Sequence, residues 1–571
     1  MENKNSKSKN IESKNSESKD IKSKNSESKI NESKNIESKI SESKNIKSKN
    51  SESKINESKK IGSKISESKN SESKNNESKN SELKSEIEII YEKSTKDINY
   101  YNNFMHNLFS ELSKKISSIL KGTKTTWDIL MKNMKKNVSN LVTFIQQLDE
   151  NKNKEIYNCL SCIFGAFLGD AIGAYCEFRK PNLNNIKKIF IGKPMFGDDP
   201  GQVTDDSEMA MASSFALMDN PEINDINSDI CYYYYGLWHI SRPRDEGNTT
   251  RTALKLFKAN IFNPEKQNNY KDEFDKIKSS NDGSLANGFL MRASPFIVWC
   301  YFRFNEQITK IFKSSNPNQN DLFGLFLNIK NQARKDNICT HPNDTLSDAQ
   351  SLFCIMAFGA ICGLKPHQIL IIIEILLKIN YFNQEEIKNI KKMIMDELDH
   401  YKKDTKKELS NINNIFPYFT KGEKSVVTHM GFYYHSFRLT LYYLYYLDEI
   451  KSEKNFTKYR TIMNQICAFG GDTDTNAAIV GTVIGPLIGY KKFGDEEFKK
   501  MISLIPKKRF IFSPALMLIY VYFIKDNNNK GKFEMNFLKM FLTLAFQQID
   551  SNNLNDIFTN PIFINNSKKE E

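Results

Sequence analysis

The residues best suited to chemistry stand in one short stretch, AFGGDTDTNAAIVGTVIGPLIG, at residues 468–489. Asp472 and Asp474 bring two carboxylates close together, with the Thr475 hydroxyl beside them. Oxygen ligands of this kind are preferred by Mg²⁺, Mn²⁺ and Ca²⁺. The two preceding glycines allow backbone conformations that side chains forbid, and the small apolar residues that follow let a neighbouring backbone pack closely. The simpler alternative is a helix N-cap, but a cap needs one such residue and four occur in a row.

A second acidic cluster lies far upstream, in the sequence GQVTDDSEM. Thr204, Asp205 and Asp206 stand at the start of another apolar segment, and by themselves they are more typical of an N-cap. Paired with the downstream cluster they indicate a shared site, because a single Mg²⁺ usually needs only one or two carboxylates. Four aspartates and two threonines at two helix starts therefore favour two metal ions.

Three further segments contain polar residues that could complete such a site. The glycine-spaced segment GDAIGAYCEF contains Asp170 and, seven residues later, Glu177. The Gly/Asn-rich sequence NDGSLANGFLMRASP is a predicted loop that leads into an apolar helix. The sequence THPNDTLSDA places His341 directly before a proline, at a predicted helix start.

These segments together resemble the ADP-ribosylglycohydrolase family, which includes the dinitrogenase reductase-activating glycohydrolase. Five motifs carry the resemblance, in the family's order: GDAIGAYCEF, TDDSEM, ANGFLMRASP, THPN and GGDTDTNAAIVGTVIG. The resemblance covers roughly residues 155–525. It implies an enzyme that hydrolyses the glycosidic bond between ADP-ribose and a protein side chain or small acceptor, through an oxocarbenium-like transition state.

The resemblance also implies a metal centre and a catalytic carboxylate. Two Mg²⁺ ions, with Mn²⁺ as the alternative, would be held by six residues of the two acidic clusters: Thr204, Asp205, Asp206, Asp472, Asp474 and Thr475. Glu177 would lie near the anomeric carbon and take or give a proton, and Asp170 is the second catalytic candidate. The alternative for Glu177 is a surface glutamate that follows a helix.

Substrate binding would fall to two other motifs. The resemblance implies that Asn287 and Gly288 approach the pyrophosphate or ribose through their backbone, with Ser284 in the same loop. His341 would donate a hydrogen bond to a phosphate oxygen. The chain departs from the family at Phe289, where many relatives have a smaller residue, and in a lysine-rich insertion near residues 383–425. Both departures leave the acceptor open between arginine, serine and another group.

Two other functions remain open at this point. One is a catalytically degenerate family member that binds ADP-ribose or serves structurally, and the other is a metal-dependent phosphoesterase, which also uses paired aspartates. The chain contains no GxGxxG, Walker or GxSxG sequence, so nothing supports a dinucleotide dehydrogenase, a P-loop NTPase or a serine hydrolase.

The domain organisation follows from composition. Residues 1–84 repeat a degenerate unit (SKNSE, SKINE, SKNIE) with 21 lysines and 14 acidic residues, which is +7 of the chain's net +13. Such a segment cannot bury enough apolar surface to fold, so it predicts a disordered tail, and its mixed charge disfavours specific nucleic-acid binding. We further predict a helical extension over 85–150, the catalytic domain over 151–530, and a C-terminal helix and polar tail over 531–571.

Hydrophobic periodicity predicts an all-α domain. Apolar residues recur with the helical period in six long segments: 207–218, 285–301, 346–363, 366–380, 428–448 and 474–490. Stretches rich in Asn and Lys predict loops or insertions at four places: 221–228, 262–282, 312–320 and 451–458.

The nine cysteines are an odd number in no regular spacing, which favours free thiols in a reducing compartment. The start of the chain lacks an apolar signal segment. The apolar run 509–524 is short and contains a proline, so it predicts a core helix and no transmembrane segment. We expect a cytoplasmic monomer, with the nucleus as the alternative location, whose partner is an ADP-ribosylated protein or a small ADP-ribosyl substrate.

Overall fold

The computed structural model describes part of the chain: residues 148, 150–187, 195, 201–219, 225–240, 243–257, 269–314, 317–452 and 456–494. Four predictions lie outside these residues: the repeat tail, nearly all of the helical extension, the apolar run 509–524 and the C-terminal helix and tail. The described part contains 15 α-helices and no strand, which confirms the all-α prediction.

The described helices are numbered in chain order. The first eight are α1 (Lys154–Gly173), α2 (Asp205–Asp219), α3 (Ser228–Ile240), α4 (Asn248–Leu254), α5 (Lys271–Asn281), α6 (Ala293–Arg303), α7 (Asn305–Phe312) and α8 (Gln319–Asn337). The other seven are α9 (Asp344–Ile361), α10 (Pro366–Leu377), α11 (Glu385–Lys403), α12 (Ile412–Thr420), α13 (Tyr433–Tyr446), α14 (Lys458–Phe469) and α15 (Thr473–Ile488).

Helices α1 and α15 pack backbone against backbone at the centre of the domain. A Cβ atom on Gly165 would lie 2.2 Å from the carbonyl oxygen of Gly481, and one on Gly173 would lie 2.3 Å from the carbonyl oxygen of Thr473. Real side chains do not tolerate such distances, so glycine is required along this contact. The close packing brings Asp170 of α1 next to the start of α15, where the DTDT sequence lies.

Helix α1 is also the one described helix that is long and apolar enough to cross a membrane. Its whole apolar window is buried by the surrounding helices, with Phe164 and Leu168 almost completely inaccessible. Within the described residues, this helix therefore forms the centre of the protein core.

The structure refines two sequence predictions about helix positions. The stretch 262–282 was expected to be a loop or an insertion, and it contains α5, a polar helix that buries Ile277 and begins with acidic residues suited to a helix N-terminus. Residues 281–295 were expected to form a loop that leads into a helix, and α6 begins within them, at Ala293. The apolar segment 428–448 is helical from Tyr433 onward. The residues before these two helices pair with each other, through an isolated bridge between Ala286 and Phe432.

The lysine-rich insertion contains α11 and α12 and is held to α13 by a buried ion pair. Arg438 Nε donates to Glu397 Oε1 at 2.7 Å, and both side chains are about 1% exposed. Tyr418 and Tyr401 donate their hydroxyls to the other oxygen of Glu397. Buried charges are retained where they are paired and hydrogen-bonded, so the insertion is an integral part of the helical core.

Candidate metal and active site

The start of α2 is capped by a side chain from α1. Both carboxylate oxygens of Asp170 accept the Thr204 backbone N–H at 3.0 Å, and Oδ2 accepts the Ser207 N–H at 3.1 Å. The hydroxyls of Thr204 and Ser207 add contacts of 2.9 and 2.6 Å. Because Asp170 satisfies N–H groups that a helix start leaves free, Asp205 and Asp206 remain available for another purpose.

The start of α15 is shaped by a turn that also positions Glu177. Gly470 and Gly471 have φ values of +73° and +78°, in the region that favours glycine. The Phe178 N–H donates to the Gly471 carbonyl at 2.8 Å, and the Gly471 N–H donates to the Arg179 carbonyl at 3.2 Å. Glu177 lies on the turn that this pairing fixes, and its side chain is 3% exposed, which rules out the surface alternative.

The two acidic clusters meet, as the sequence motifs predicted. Thr204 Oγ1 lies 3.0 Å from Asp206 Oδ2 and 3.4 Å from Asp474 Oδ2. Thr475 Oγ1 lies 3.4 Å from the same Asp206 oxygen. Residues 270 positions apart in the chain therefore share one buried centre, and the start of each helix directs its positive dipole end toward it.

Two groups of three carboxylates are close enough to bind a cation. Asp170, Asp206 and Asp474 have ligand atoms within 4.8 Å of one another, and so do Glu177, Asp245 and Asp474. Asp474 belongs to both groups. Asp205 and Asp472 complete the cluster, since the pKa of Glu177 responds to the charge of each.

Asp245 was not predicted from the sequence. It lies in the connection between α3 and α4, in the sequence RPRDEGN, and the following Gly247 N–H donates to Asp205 at 3.3 Å. A single acid in a loop carries no periodicity or repeated motif that would mark it. The one available signal was an acidic pair directly before a glycine and a helix start.

The carboxylates strongly disfavour one another's charge. Burial, together with the charges of Asp245, Asp472 and Asp205, raises the pKa of Glu177 to about 10. Burial, with a smaller contribution from Asp472, raises the pKa of Asp245 to about 6. Burial and neighbouring acids also raise the pKa of three other members well above the usual range: Asp205, Asp206 and Asp474. Without cations, such a cluster holds protons in place of positive charge.

The donor set fits hard divalent cations. Asp206 Oδ1 and Glu177 Oε2 are buried and have no hydrogen-bond partner among the described residues, although buried polar atoms are nearly always satisfied. Carboxylate and hydroxyl oxygens are the ligands that Mg²⁺ and Mn²⁺ take. Asp170 is different, because both of its oxygens already accept hydrogen bonds from the start of α2.

Asn287 reaches the cluster through its side chain. Its Nδ2 donates to Asp472 Oδ2 at 2.7 Å, while its backbone N–H donates to the Gly431 carbonyl at 2.8 Å. The backbone N–H is therefore already used within the protein. The sequence predicted that Asn287 approaches a ligand through its backbone. The contacts observed here are explained instead by a side chain that holds Asp472 in place.

His341 and Gly288 lie together, next to the acidic cluster's Asn287. A Cβ atom on Gly288 would lie 2.8 Å from Cε1 of the His341 ring. Burial, and to a lesser extent Arg292, lowers the pKa of His341 well below its usual value, so the ring is neutral at pH 7. Arg292 Nη1 donates to Thr340 Oγ1 at 2.8 Å, which leaves that hydroxyl to donate to His341 Nδ1 at 2.9 Å. The ring proton then sits on Nε2, where it can be donated.

Ser284 lies at the edge of the same loop. Its hydroxyl is 3.0 Å from that of Thr249, near the start of α4. The structure thus brings the predicted metal ligands and Glu177 into one cluster, attaches Asn287 to it directly, and leaves Ser284 outside it.

Comparison with known proteins agrees with this geometry. The family model for ADP-ribosylglycohydrolase matches residues 152–501. A candidate ADP-ribosyl glycohydrolase of Acanthamoeba polyphaga mimivirus is 27% identical over 343 residues, which are 57% of this chain and 86% of that protein. The ADP-ribosyl-[dinitrogen reductase] glycohydrolase of Rhodospirillum rubrum is 31% identical over 141 residues, which are 24% of this chain and 42% of that protein.

Among solved structures, an ADP-ribosylglycohydrolase-related protein complex aligns with a TM-score of 0.40 and 16% identity, covering 65% of this chain and 99% of that one. That score is too low to add to the assignment. The family model spans more than half of the chain and includes every motif that forms the cluster. The described domain is therefore a helical hydrolase domain with an acidic centre that could hold metal ions. The chain belongs to the ADP-ribosylglycohydrolase family.

Proposed function

We propose that this protein is a Mg²⁺-dependent hydrolase that cleaves the glycosidic bond between ADP-ribose and a protein side chain or small acceptor. The observation that carries the proposal is the pair of carboxylate groups that share Asp474, with unpartnered buried oxygens on Asp206 and Glu177. Family membership supports the reaction class.

Two Mg²⁺ ions, or Mn²⁺ ions as the alternative, would be held by the six residues of the acidic clusters: Thr204, Asp205, Asp206, Asp472, Asp474 and Thr475. Asp245 is a further candidate ligand, because it shares a carboxylate group with Glu177 and Asp474. When bound, such ions can orient the ribose hydroxyls and lower the pKa of a water molecule.

The remaining residues would bind, position and move a proton. Glu177 is buried beside the metal ligands and would exchange a proton at the anomeric centre through its carboxylate. Asp170 and Asn287 would act as positioning residues, since Asp170 caps α2 and Asn287 holds Asp472. Neutral His341 would donate from Nε2 to a phosphate oxygen, with Gly288 and Ser284 along the same wall.

The expected substrate is an ADP-ribosylated protein or a small ADP-ribosyl compound. The name of the Rhodospirillum rubrum relative describes a protein of that kind as its substrate. All nine cysteines are free thiols in the structure, which supports a reducing compartment such as the cytoplasm, or the nucleus as the alternative. We propose that the protein acts as a monomer with the catalytic domain spanning 151–530.

The test is to incubate the full chain with Mg²⁺ and defined peptides ADP-ribosylated on arginine or on serine. Release of free ADP-ribose supports a glycohydrolase and identifies the linkage, whereas release of AMP indicates a phosphoesterase. Binding of ADP-ribose without release of any product indicates a degenerate binder. The matched control is Asp474→Ala, which removes the carboxylate common to both groups. If this variant is as active as the wild type, the centre has been placed wrongly.

A further inference from the structure

The loop that carries Asp245 is held by side-chain contacts to the helices before and after it. It joins α3, which ends at Ile240, to α4, which begins at Asn248. The carboxylate of Asp245 is supported by the N–H of the next residue, Glu246, and is attracted by the charge of Arg251. The nearby acids repel it, and Asp472 contributes most among them. A position of this kind needs external support, because like charges close together are unfavourable.

Glu246 supplies that support. Its side chain is 7% exposed, and its two carboxylate oxygens have different partners. Oε1 lies 2.6 Å from His239 Nδ1, near the end of α3, and Oε2 lies 3.2 Å from Arg251 Nε, in α4. Arg251 Nη2 also donates to the Glu246 backbone carbonyl at 2.9 Å. The residue next to Asp245 is thus tied to both flanking helices, in an arrangement that we call the Glu246 clamp.

We propose that Arg251, acting through the Glu246 clamp, is a positioning residue that sets Asp245 between Glu177 and Asp474. The inference rests on the proposed function. Consecutive Cα atoms are only ~3.8 Å apart, so a shift of Glu246 moves Asp245 by a similar amount. Displacing a reacting or metal-binding group by ~1 Å can lower the rate by about a hundredfold.

Arg251 is a good residue to change, because its side chain is 56% exposed and its truncation leaves no buried cavity. Arg251→Ala removes both hydrogen bonds to Glu246, and Arg251→Lys keeps the charge without the bidentate geometry. Lys310→Ala is the control, since Lys310 is a similarly exposed cation (69%) that pairs with Asp321 between α7 and α8, two helices that contribute no residue to the acidic cluster. Asp245→Asn is made alone and together with Arg251→Ala.

Three measurements on the full chain test the role. Calorimetry with Mg²⁺ alone gives the metal affinity, steady-state kinetics gives kcat and KM, and thermal melting shows that each variant is folded. We expect Arg251→Ala to weaken Mg²⁺ binding about tenfold and to lower kcat between about tenfold and a hundredfold with little change in KM. Arg251→Lys should recover part of both losses, and Lys310→Ala should match the wild type.

The double variant decides whether Arg251 acts through Asp245. If it does, adding Arg251→Ala to Asp245→Asn causes no further loss, because the residue being positioned is already disabled. A folded Arg251→Ala protein with wild-type Mg²⁺ affinity and kcat would overturn the proposal, and so would losses that multiply in the double variant. If the wild type itself releases no ADP-ribose, the proposed reaction is wrong, but the Mg²⁺ calorimetry still tests the clamp.

Discussion

The contact between α1 and α15 makes a sharp prediction at Gly173. A Cβ atom there would lie 2.3 Å from the Thr473 carbonyl oxygen and 2.4 Å from the Asp474 Cα. Both are backbone atoms, so no side-chain rotation can relieve the clash. Ordinary contact begins near 3.4 Å, so Gly173→Ala must push the start of α15 away by about 1 Å, and Asp474 must move with it.

The expected cost follows from that displacement. Overpacking of a core typically lowers the free energy of unfolding by ~1–3 kcal/mol, and displacement of a metal ligand by ~1 Å can lower the rate by about a hundredfold. We therefore expect Gly173→Ala to melt at a lower temperature, to respond less to Mg²⁺ and to be nearly inactive. Thermal melting with and without Mg²⁺, followed by ADP-ribose release, measures all three effects.

Gly324 provides the matched control. It lies inside α8, and a Cβ atom added to it meets nothing within 4 Å. Gly324→Ala should therefore stabilise the protein by up to ~1 kcal/mol through helix propensity and reduced freedom of the unfolded chain. The two variants make the same chemical change with opposite expected signs. A Gly173→Ala protein with wild-type stability, Mg²⁺ response and turnover would refute the packing argument.

Four further predictions concern the site and the tail. Glu177→Gln should bind ADP-ribose almost normally by calorimetry but have a much lower kcat, whereas His341→Ala should raise KM and approach the normal rate at high substrate. In EDTA, the unfolding free energy should fall as pH rises from 5 to 8, because acids with raised pKa values in the folded state keep protons that the unfolded chain releases. The rise in melting temperature caused by Mg²⁺ should grow over the same interval, because metal binding competes with those protons; a constant rise would contradict it. Removal of residues 1–84 should leave kcat unchanged.

Site residues that stand close together in the sequence could be predicted, whereas contacts between loops that are distant in the sequence could not. The two acidic helix starts could be identified because several ligand residues are adjacent in the sequence at each. The small residues that follow the DTDT sequence predicted the close approach of two backbones, which Gly165 and Gly481 make. Asp245 was not visible, because only the path of the α3–α4 connection brings it to the cluster. Asn287 was predicted as a site residue, but its contact with Asp472 was not, because that contact depends on the pairing of two loops.

Asp170 shows why residue type alone does not determine a role. The family resemblance implied a catalytic role for Glu177, and Asp170, seven residues earlier, was the second catalytic candidate. Helix α1 ends at Gly173, however, so the two acids face different neighbours. The oxygens of Asp170 accept hydrogen bonds from the start of α2. Glu177 lies on the following turn, and one of its oxygens has no hydrogen-bond partner among the described residues. Role therefore follows from which oxygens remain free, a property that only packing determines.

The acidic centre works against the stability of the fold that contains it. Each of its buried carboxylates has a pKa raised by burial, so every added negative charge lowers the free energy of unfolding until a cation arrives. The structure opposes this repulsion with three separate attachments: the glycine contact between α1 and α15, the Asn287 bond to Asp472, and the Glu246 clamp. Each attachment fixes one carboxylate-bearing segment of the cluster. Carboxylates that are held in place before a cation arrives need not rearrange to bind one, which is the condition for positioning a substrate accurately.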